Sequence, residues 1–529
     1  MTITDFFLNN SNIDSKSNLN ASKYTEKSDH FIRLYLVVIC CIFFFSWYVK
    51  WLWNRRYLYI HSRNVPGPFG LPFIGCVYLL FLHEKDDIMK AITDLQKIYP
   101  DIGALWFGTR LYYAVSKPEH IEKILTNSKA LDKDFLYKFM TLAIGKGLLT
   151  AKVQKWRKHR KIIRQAFNQR ILNFYQAVFL EKGEIFAKQL QKNVGNKDLD
   201  FFDMISKCTL DIICETAMGL NMNTQTQDSD VCYNINKMFE IINYRMFNPW
   251  YHLEFIWKLN PLSKQYDKAV KIFKNFTSTV INKKQEAYNN KQNLKDSIPI
   301  SGIEETIKGK IAFLDLILEN TNFTEKELQE EVELFLLAGT DTTATALSCI
   351  FTLLGMFQDV QQNVLEEILA ILGPDRPVSP SDLSELKYTE RVIKESLRLF
   401  PVAALFGRNI TEDIDAGDIV FPAGSSVFFC TLHIQRNPKY WPDPLKFDPD
   451  RFLPENVAKR HPCTYIPFSY GPRNCIGAQY AMINMKTILA TILRRFRIYT
   501  SYKTIEEIEL KINLLLRMKE GSKVWVEAR

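Results

Sequence analysis

The chain lacks the cysteine spacing from which a disulfide framework or a structural zinc site is built. Its 10 cysteines are spread over 529 residues without paired spacing and without a Cys-x-x-Cys motif. Regularly spaced cysteine pairs are typical of small secreted proteins and of zinc sites. The sequence therefore predicts a reducing compartment in which most of the thiols are buried.

The chain also lacks a strong charge of one sign, an internal repeat and any RNA- or DNA-binding motif. Its net charge is +10, and its basic residues are scattered. We therefore expect no nucleic-acid partner. A modest positive charge suits a surface that contacts an acidic protein or an anionic membrane. With 47% hydrophobic residues, the chain can bury a large core.

The N-terminal sequence divides into three segments ahead of a globular domain. Residues 1–30 are polar and rich in Asn and Ser, so we expect a disordered tail. Residues 31–54 contain the uncharged stretch Leu34–Val49 and predict a transmembrane anchor, because the apolar run is long enough to cross a bilayer. No small-residue cleavage site follows, which disfavours a signal peptide. Residues 55–72 form a basic, proline-rich hinge, and residues 73–529 form the globular domain.

The globular domain is predicted to be mainly α with small β-sheets, an α+β protein. Helical periodicity covers most of residues 80–400, and short strand-like stretches appear late in the chain. The polar stretch Asn289–Lys310 predicts a surface loop, and Asp382–Phe400 predicts a helix.

One long apolar helix contains a local fault. Thr324 and Glu327 form a capping box, which predicts a helix that runs without proline to about Phe357. Small and hydroxylated residues from Gly339 to Thr343 weaken the middle of this helix. Two interpretations stay open: a packing crossing, or a groove beside a ligand with an Asp and a Thr facing in.

The stretch "FSYGPRNCIGAQY", Phe468–Tyr480, concentrates glycines and one arginine around Cys475. A zinc site or an iron–sulfur cluster needs several ligands, and a catalytic cysteine needs a base, but the nearby sequence supplies neither. The axial position of haem iron takes a single thiolate. Glycines let the backbone approach a flat macrocycle, and a helix that begins after Cys475 favours negative charge there.

The stretch resembles the haem-binding signature of the cytochrome P450 superfamily at Phe468, Gly471, Arg473, Cys475 and Gly477. The resemblance covers nearly the whole chain after the hinge and implies the fold of that superfamily, with haem between the long helix and the helix after Cys475.

The resemblance implies how the cofactor is held. It implies haem b with an axial thiolate from Cys475, and haem propionates bound near Trp156, Arg160, Arg408 and Arg473. Haem binding is also implied for Phe468, Gly471, Gly477 and Gly339.

The long helix carries the implied oxygen chemistry. By resemblance Gly339 leaves room for O2, Asp341 relays protons and Thr342 hydrogen-bonds the O2. Members of family 4 and their insect relatives are the most similar, but many of them have a Glu where this chain has Ala338. That Glu forms an ester with haem, so we predict haem that is not covalently attached, and the substitution weakens any transfer of fatty-acid ω-specificity.

Glu395 and Arg398 resemble the Glu-x-x-Arg pair of the superfamily, and Arg451 completes its network. An acid–base pair on a helix suggests catalysis, but a buried ion pair that stabilises the haem-side core is the favoured interpretation.

The implied function is a membrane-anchored monooxygenase with a lipophilic substrate: a fatty acid, terpenoid, steroid or xenobiotic. It implies electrons from NADPH through NADPH–cytochrome P450 reductase, with cytochrome b5 as a further donor. It also implies O2 and membrane lipid as partners, and a single-pass endoplasmic reticulum protein with a cytosolic catalytic domain. The alternatives are a haem-thiolate isomerase or dehydratase, and a non-enzymatic haem ligand sensor.

Two surface features keep two interpretations each. Basic residues around Trp156 either dock an acidic electron donor or form a solvated face. The aromatic stretch Tyr244–Trp257 either lies at the substrate entrance or belongs to the core.

Overall fold

The computed structural model describes residues 3–81, 88–227, 230–297, 313–320 and 323–529. Within these ranges the first nine helices are α1 Ile3–Arg63, α2 Ile88–Ile98, α3 Pro118–Thr126, α4 Lys138–Ile144, α5 Val153–Ile163, α6 Gln169–Gln191, α7 Phe201–Ile213, α8 Val231–Phe247 and α9 Glu254–Leu259. The next nine are α10 Pro261–Ser297, α11 Phe313–Asn320, α12 Glu325–Met356, α13 Gln358–Leu372, α14 Asp382–Glu385, α15 Lys387–Leu399, α16 Thr431–Gln435, α17 Pro454–Val457 and α18 Ala478–Leu493.

The strands are short. They are β1 Ile102–Phe107, β2 Arg110–Val115, β3 Asp132–Lys133, β4 Leu405–Asn409, β5 Ile414–Asp415, β6 Val420–Phe421, β7 Ser426–Cys430, β8 Phe496–Thr500, β9 Leu510–Asn513, β10 Leu515–Met518 and β11 Val524–Ala528. Five form one sheet in the order β1-β2-β7-β4-β3, and the others form the pairs β5–β6, β8–β11 and β9–β10. The prediction of a mainly α protein with small sheets is confirmed.

The chain divides into two compact units, Met1–Asn64 and Val65–Arg529. The first unit is essentially α1, which also includes the polar residues where we expected a disordered tail and the first part of the expected hinge. Neither glycine nor proline occurs between residues 3 and 63, so nothing in the backbone interrupts the helix. Its segment Arg33–Arg63 is long and apolar enough to cross a membrane, and none of its most apolar window is buried.

The proline-rich residues after α1 belong to the second unit. The Ala104 amide on β1 donates to the Pro66 carbonyl oxygen at 2.9 Å, and the Tyr78 hydroxyl donates to the Phe69 carbonyl oxygen at 3.0 Å. A Cβ atom on Gly67 would lie 2.0 Å from the Ala104 carbonyl oxygen, so a glycine is required for this approach. This part of the expected hinge is therefore held against the sheet.

Helix α12 runs through the core of the second unit. The predicted capping box is present, because the Thr324 hydroxyl accepts from the Glu327 amide at 3.2 Å and the Glu327 carboxylate accepts from the Thr324 amide at 3.1 Å. Most of the helix is buried, and it packs mainly against α7, with further contacts to α10, α15 and α18.

Two expected elements differ in detail. The helix expected over Asp382–Phe400 is divided at Leu386 into α14 and α15. Of the surface loop expected over Asn289–Lys310, residues 289–297 belong to α10, and residues 298–310 lie outside the described residues.

Candidate functional site

A largely apolar cavity of about 430 Å³ lies within the second unit. It is lined by residues of β3, α4, α5, α8, α12, β4 and the segment 466–481, and by Ile512, Leu514 and Leu515 of the β9–β10 hairpin. Cys475 and Gly477 belong to its wall, as do Gly339 and Thr342 of α12. The structure thus brings the cysteine loop and the fault in the long helix to one cavity.

Cys475 is the one accessible cysteine of the second unit. The other seven are buried, whereas the Cys475 side chain is exposed to the cavity. Its amide donates to the Phe468 carbonyl oxygen at 2.9 Å, which closes the loop, and the Gly477 carbonyl oxygen accepts from the Ala481 amide in the first turn of α18. These bonds fix the thiol at the start of the helix.

The electrostatic surroundings of Cys475 act in opposite directions. Although the Cys475 side chain faces the cavity, it lies inside the protein, and this burial raises the pKa of its thiol; a hydrogen bond from the Gly477 amide and the charges of Arg160 and Lys133 lower it. The same amide and charges would stabilise a thiolate, and coordination to a metal ion deprotonates a thiol outright.

The two glycines of the loop serve different contacts. Gly471 has φ +73°, and a Cβ atom there would lie 2.2 Å from the Leu125 carbonyl oxygen in α3. Its need for glycine therefore comes from the turn and from α3, and not from the approach to a macrocycle that we expected. A Cβ atom on Gly477 would lie 4.0 Å from the Cys475 sulfur, so Gly477 leaves space beside the thiol.

The predicted propionate ligands surround one part of the cavity. Trp156 and Arg160, both on α5, line it, and Arg160 donates to the Asn474 carbonyl and side-chain oxygens at 2.6 and 2.7 Å. Arg473 is 6% exposed and donates to three backbone carbonyl oxygens, while its Nε atom has no partner. Arg408 is buried beside them but is not part of the cavity wall.

Lys133 is a cation at this site that sequence reasoning missed. It lines the cavity and pairs with Arg408 across the antiparallel β3–β4 ladder. Burial and the charges of Arg408 and Arg473 hold the pKa of Lys133 well below its ordinary value. Like charges directly opposite each other in a sheet are destabilising, and a nearby anion would favour both charged forms. Lys133 lies in a two-residue strand outside any motif, so no local signal identifies it.

These residues fit a haem. The cavity supplies a lone thiol, apolar walls for a macrocycle, and a group of cations that repel one another. Burial and the neighbouring Arg408 lower the pKa of Arg473 to about 10, and its unpartnered Nε atom is a donor that an additional acceptor would satisfy. Two propionate carboxylates would supply acceptors and neutralise the repulsion.

The small and hydroxylated residues in the middle of α12 serve both of the roles left open by the sequence, a packing crossing and a wall beside a ligand. The helix is continuous, and a Cβ atom on Gly339 would lie 2.5 Å from the Ile213 side chain, so the glycine permits the crossing of α7. Ala338 and Thr342 lie one turn apart on the cavity wall, and the Thr342 hydroxyl donates to the Ala338 carbonyl oxygen at 2.5 Å.

Asp341 does not face the cavity as expected. It is 2% exposed, is absent from the cavity wall, and forms an ion pair with Arg517 on β10. Burial raises the pKa of the Asp341 carboxyl, and the Arg517 charge counteracts this effect. Thr342 and Asp341 are therefore neighbours that face different surroundings.

Glu395 and Arg398 form a fully buried bidentate ion pair on α15, with nitrogen–oxygen distances of 2.7 and 2.8 Å. Arg398 also donates to three backbone carbonyl oxygens, and Arg451 approaches Glu395 at 3.5 Å. None of the three residues lines the cavity. This arrangement favours the structural interpretation over a catalytic one.

Comparison with known proteins gives matches over nearly the whole chain. A family model described as Cytochrome P450 matches residues 65–524. Cytochrome P450 4c21 of Blattella germanica is 36% identical over 475 residues, which cover 88% of this chain and 94% of that protein. Cytochrome P450 4V2 of Homo sapiens is 37% identical over 467 residues, which cover 87% of this chain and 88% of that protein. Cytochrome P450 4c3 of Drosophila melanogaster is 33% identical over 490 residues, which cover 90% and 91%.

Proposed function

The chain belongs to the cytochrome P450 family and is a haem monooxygenase, and we propose that it is anchored in the endoplasmic reticulum membrane and oxidises a lipophilic substrate. It takes electrons from NADPH through NADPH–cytochrome P450 reductase, with cytochrome b5 as a further donor. The supporting observation is that Cys475 is exposed to a largely apolar cavity beside a group of cations. The resemblance to family 4 and its insect relatives is confirmed by the relatives found.

When bound, haem b supplies the activation of O2. The chain would hold it with the Cys475 thiolate and with Trp156, Lys133, Arg160 and Arg473 around the propionates. Arg408 is buried outside the cavity wall, and its positive charge would attract the propionates without direct contact.

Residues of α12 supply the hydrogen-bonding groups for proton transfer and shape the cavity wall. Thr342 presents a hydroxyl to the cavity, and because its proton is donated to the Ala338 carbonyl oxygen, the hydroxyl oxygen is free to accept a hydrogen bond there. Asp341, one residue earlier in the helix, is the carboxylate from which we expect protons to be relayed. Ala338 places a methyl group on the wall where a carboxylate would be needed for an ester bond, which supports a haem held without a covalent link.

The substrate is expected to be apolar because the cavity wall is. Met140, Ile144, Phe239 and Phe247 line it together with Leu334 and Leu337. Burial of apolar surface is the main source of affinity in such a pocket. A fatty acid, terpenoid, steroid or xenobiotic meets this requirement.

Two features support membrane attachment. Arg33–Arg63 has the length and hydropathy of a membrane span. In the second unit, Trp250, Phe255 and Leu259 expose 54%, 68% and 81% of their surface, close in sequence to the cavity-lining Phe247. Exposed apolar side chains that form a patch mark lipid contact or a binding site, and we propose that these three contact lipid.

The test is reconstitution of the purified full chain with reductase, NADPH and isotopically labelled O2. A fatty acid, a terpenoid and a steroid are first screened for binding by the change in haem absorption. We expect a product that contains one labelled oxygen atom and NADPH consumption coupled to its formation. An unoxygenated rearranged product would instead indicate the isomerase or dehydratase, and ligand binding without NADPH consumption would indicate the sensor. Membrane fractionation with an organelle marker tests the proposed location.

A further inference from the structure

The β9–β10 hairpin connects the cavity wall to α8. Ile512, Leu514 and Leu515 at its tip line the cavity, as does Asn243 of α8. The Asn243 side chain donates to the Ile512 carbonyl oxygen at 2.9 Å and accepts from the Leu514 amide at 3.3 Å. The tip is therefore held in place by backbone hydrogen bonds to a cavity residue.

The second strand of the same hairpin reaches α12 through Arg517. Its guanidinium donates to the Asp341 carboxylate and to the Thr345 hydroxyl, one turn further along the helix. It also lies 4.4 Å from the centre of the Phe202 ring on α7. The side chains of Arg517 and Asp341 are 12% and 3% exposed, so water screens their attraction far less than that of a surface pair.

Arg517 is the group that favours a negative charge on Asp341. Among the described residues, Arg517 is the one basic group within ion-pair distance of this carboxylate. The Asp341 Oδ2 atom is buried without a partner, and Cys232 of α8 is another titratable group that its charge affects. Burial raises the pKa of Asp341 and favours the neutral acid, whereas the charge and hydrogen bond of Arg517 favour the ionised form.

We propose that Arg517 is a positioning residue that keeps Asp341 ionised and fixes its carboxylate against β10, one residue before Thr342 in α12. The proposal rests on the monooxygenase function, in which Asp341 relays protons. A productive cycle consumes NADPH, one proton, O2 and substrate, and yields NADP⁺, water and oxygenated substrate. When protons arrive at the wrong time or place, the same two electrons and two protons leave with O2 as hydrogen peroxide. Without substrate the competing outcome is water: two NADPH, two protons and O2 yield two NADP⁺ and two water molecules, so the peroxide formed per NADPH reports how protons are delivered.

The experiment measures the hydrogen peroxide formed per NADPH consumed, with the full-length haem protein and reductase and without substrate. The variants are Arg517→Gln, Arg517→Lys, Asp341→Asn and the double variant Arg517→Gln/Asp341→Asn. Lys519→Gln is the matched control, because it removes a positive charge next to the same strand at a residue that pairs with Glu509.

We expect Arg517→Gln to raise the peroxide fraction about twofold or more, Arg517→Lys to restore part of the wild-type value, and Lys519→Gln to leave it unchanged. The double variant should equal Asp341→Asn, because Arg517 acts through Asp341. In parallel, Arg517→Gln should lower the melting temperature more in the wild-type background than in the Asp341→Asn background, which reports the contact without any turnover.

The role of Arg517 would be refuted if Arg517→Gln keeps its thiolate-type carbon monoxide spectrum and forms the same peroxide fraction as the wild type. The monooxygenase function would not be affected by that result. Additive effects in the double variant would also refute the role of Arg517. If Arg517→Gln does not fold, the peroxide fractions of Arg517→Lys and of the double variant test the role of Arg517, since neither variant leaves a buried charge unpaired. A wild-type protein that consumes no NADPH would overturn the monooxygenase function and the inference with it.

Discussion

Replacement of Arg398 by Met tests whether the buried pair on α15 is structural or catalytic. Arg398 donates two hydrogen bonds to Glu395 and others to the carbonyl oxygens of Gln435, Pro444 and Lys446. Methionine fills similar space but leaves the Glu395 charge buried. Removing one partner of a buried pair costs about 3–5 kcal/mol.

The expected loss lies near the lower end of that range. Glu395 keeps the Asp448 amide at 3.0 Å and the Arg451 guanidinium at 3.5 Å, which offset part of the lost interaction. A loss of about 3 kcal/mol shifts the folding equilibrium by roughly 100-fold. Since native proteins are stable by only about 5–15 kcal/mol, we expect a lower yield of haem-loaded protein and a lower melting temperature.

The assay is haem content per polypeptide together with thermal melting, followed by turnover per bound haem. Arg376→Met is the matched control, because Arg376 makes the same bidentate contact to Asp382 at 2.8 and 2.9 Å but has a half-exposed side chain. Water replaces the lost bonds there, so its melting temperature should change little. Full haem content and an unchanged melting temperature for Arg398→Met, with turnover lost, would refute the structural role.

Four further outcomes are expected. Acid–acetone extraction should release the haem, because Ala338 has no carboxylate for an ester; haem that stays on the protein would contradict this. Lys133→Met should raise the melting temperature of the apoprotein, because it removes charge repulsion among the cations. The same change should accelerate haem transfer to a scavenger protein about tenfold, as expected for one lost hydrogen bond to a charged group. An unchanged transfer rate would exclude binding of a propionate by Lys133. Gly471→Ala should destabilise the apoprotein by more than about 1–2 kcal/mol, because the φ of +73° at Gly471 disfavours a side chain. Gly477→Ala should not destabilise it. Equal melting temperatures for the two variants would contradict the contact geometry. Hydrogen bonds from a lysine and a histidine near the start of α3 hold the pKa of Asp418 below its ordinary value. The stability that the wild type has over Asp418→Asn should therefore be largest above about pH 4 and should fall as the pH is lowered. A difference in melting temperature between the two proteins that stays constant from about pH 6 to 3 would contradict this prediction.

The local features of the site could be predicted from the sequence because they depend on neighbours in the chain. The loop around Cys475, the start of α18 and the capping box of α12 each involve residues a few positions apart. Propensity and motif spacing describe such short-range interactions directly.

The contacts that decide the roles of individual residues join distant parts of the chain. Lys133 meets Arg408 across β3 and β4, and Asp341 meets Arg517 from β10. Gly471 meets Leu125 in α3, so a glycine in the haem-binding motif turns out to serve packing as well. No local pattern encodes these pairings, because they arise only when the sheets and helices assemble.

The group of cations links the cofactor to the stability of the fold. Lys133, Arg408 and Arg473 each have a pKa lowered chiefly by burial, so their charged forms are less stable in this fold than in water. The apoprotein must accommodate that unfavourable energy, whereas two propionates would remove much of it. Haem binding therefore contributes to the free energy of folding. This explains why a change at Glu395 or Arg398, which do not line the cavity, is expected to appear first as lost haem: folding and haem binding are linked, so a destabilised fold binds haem less tightly.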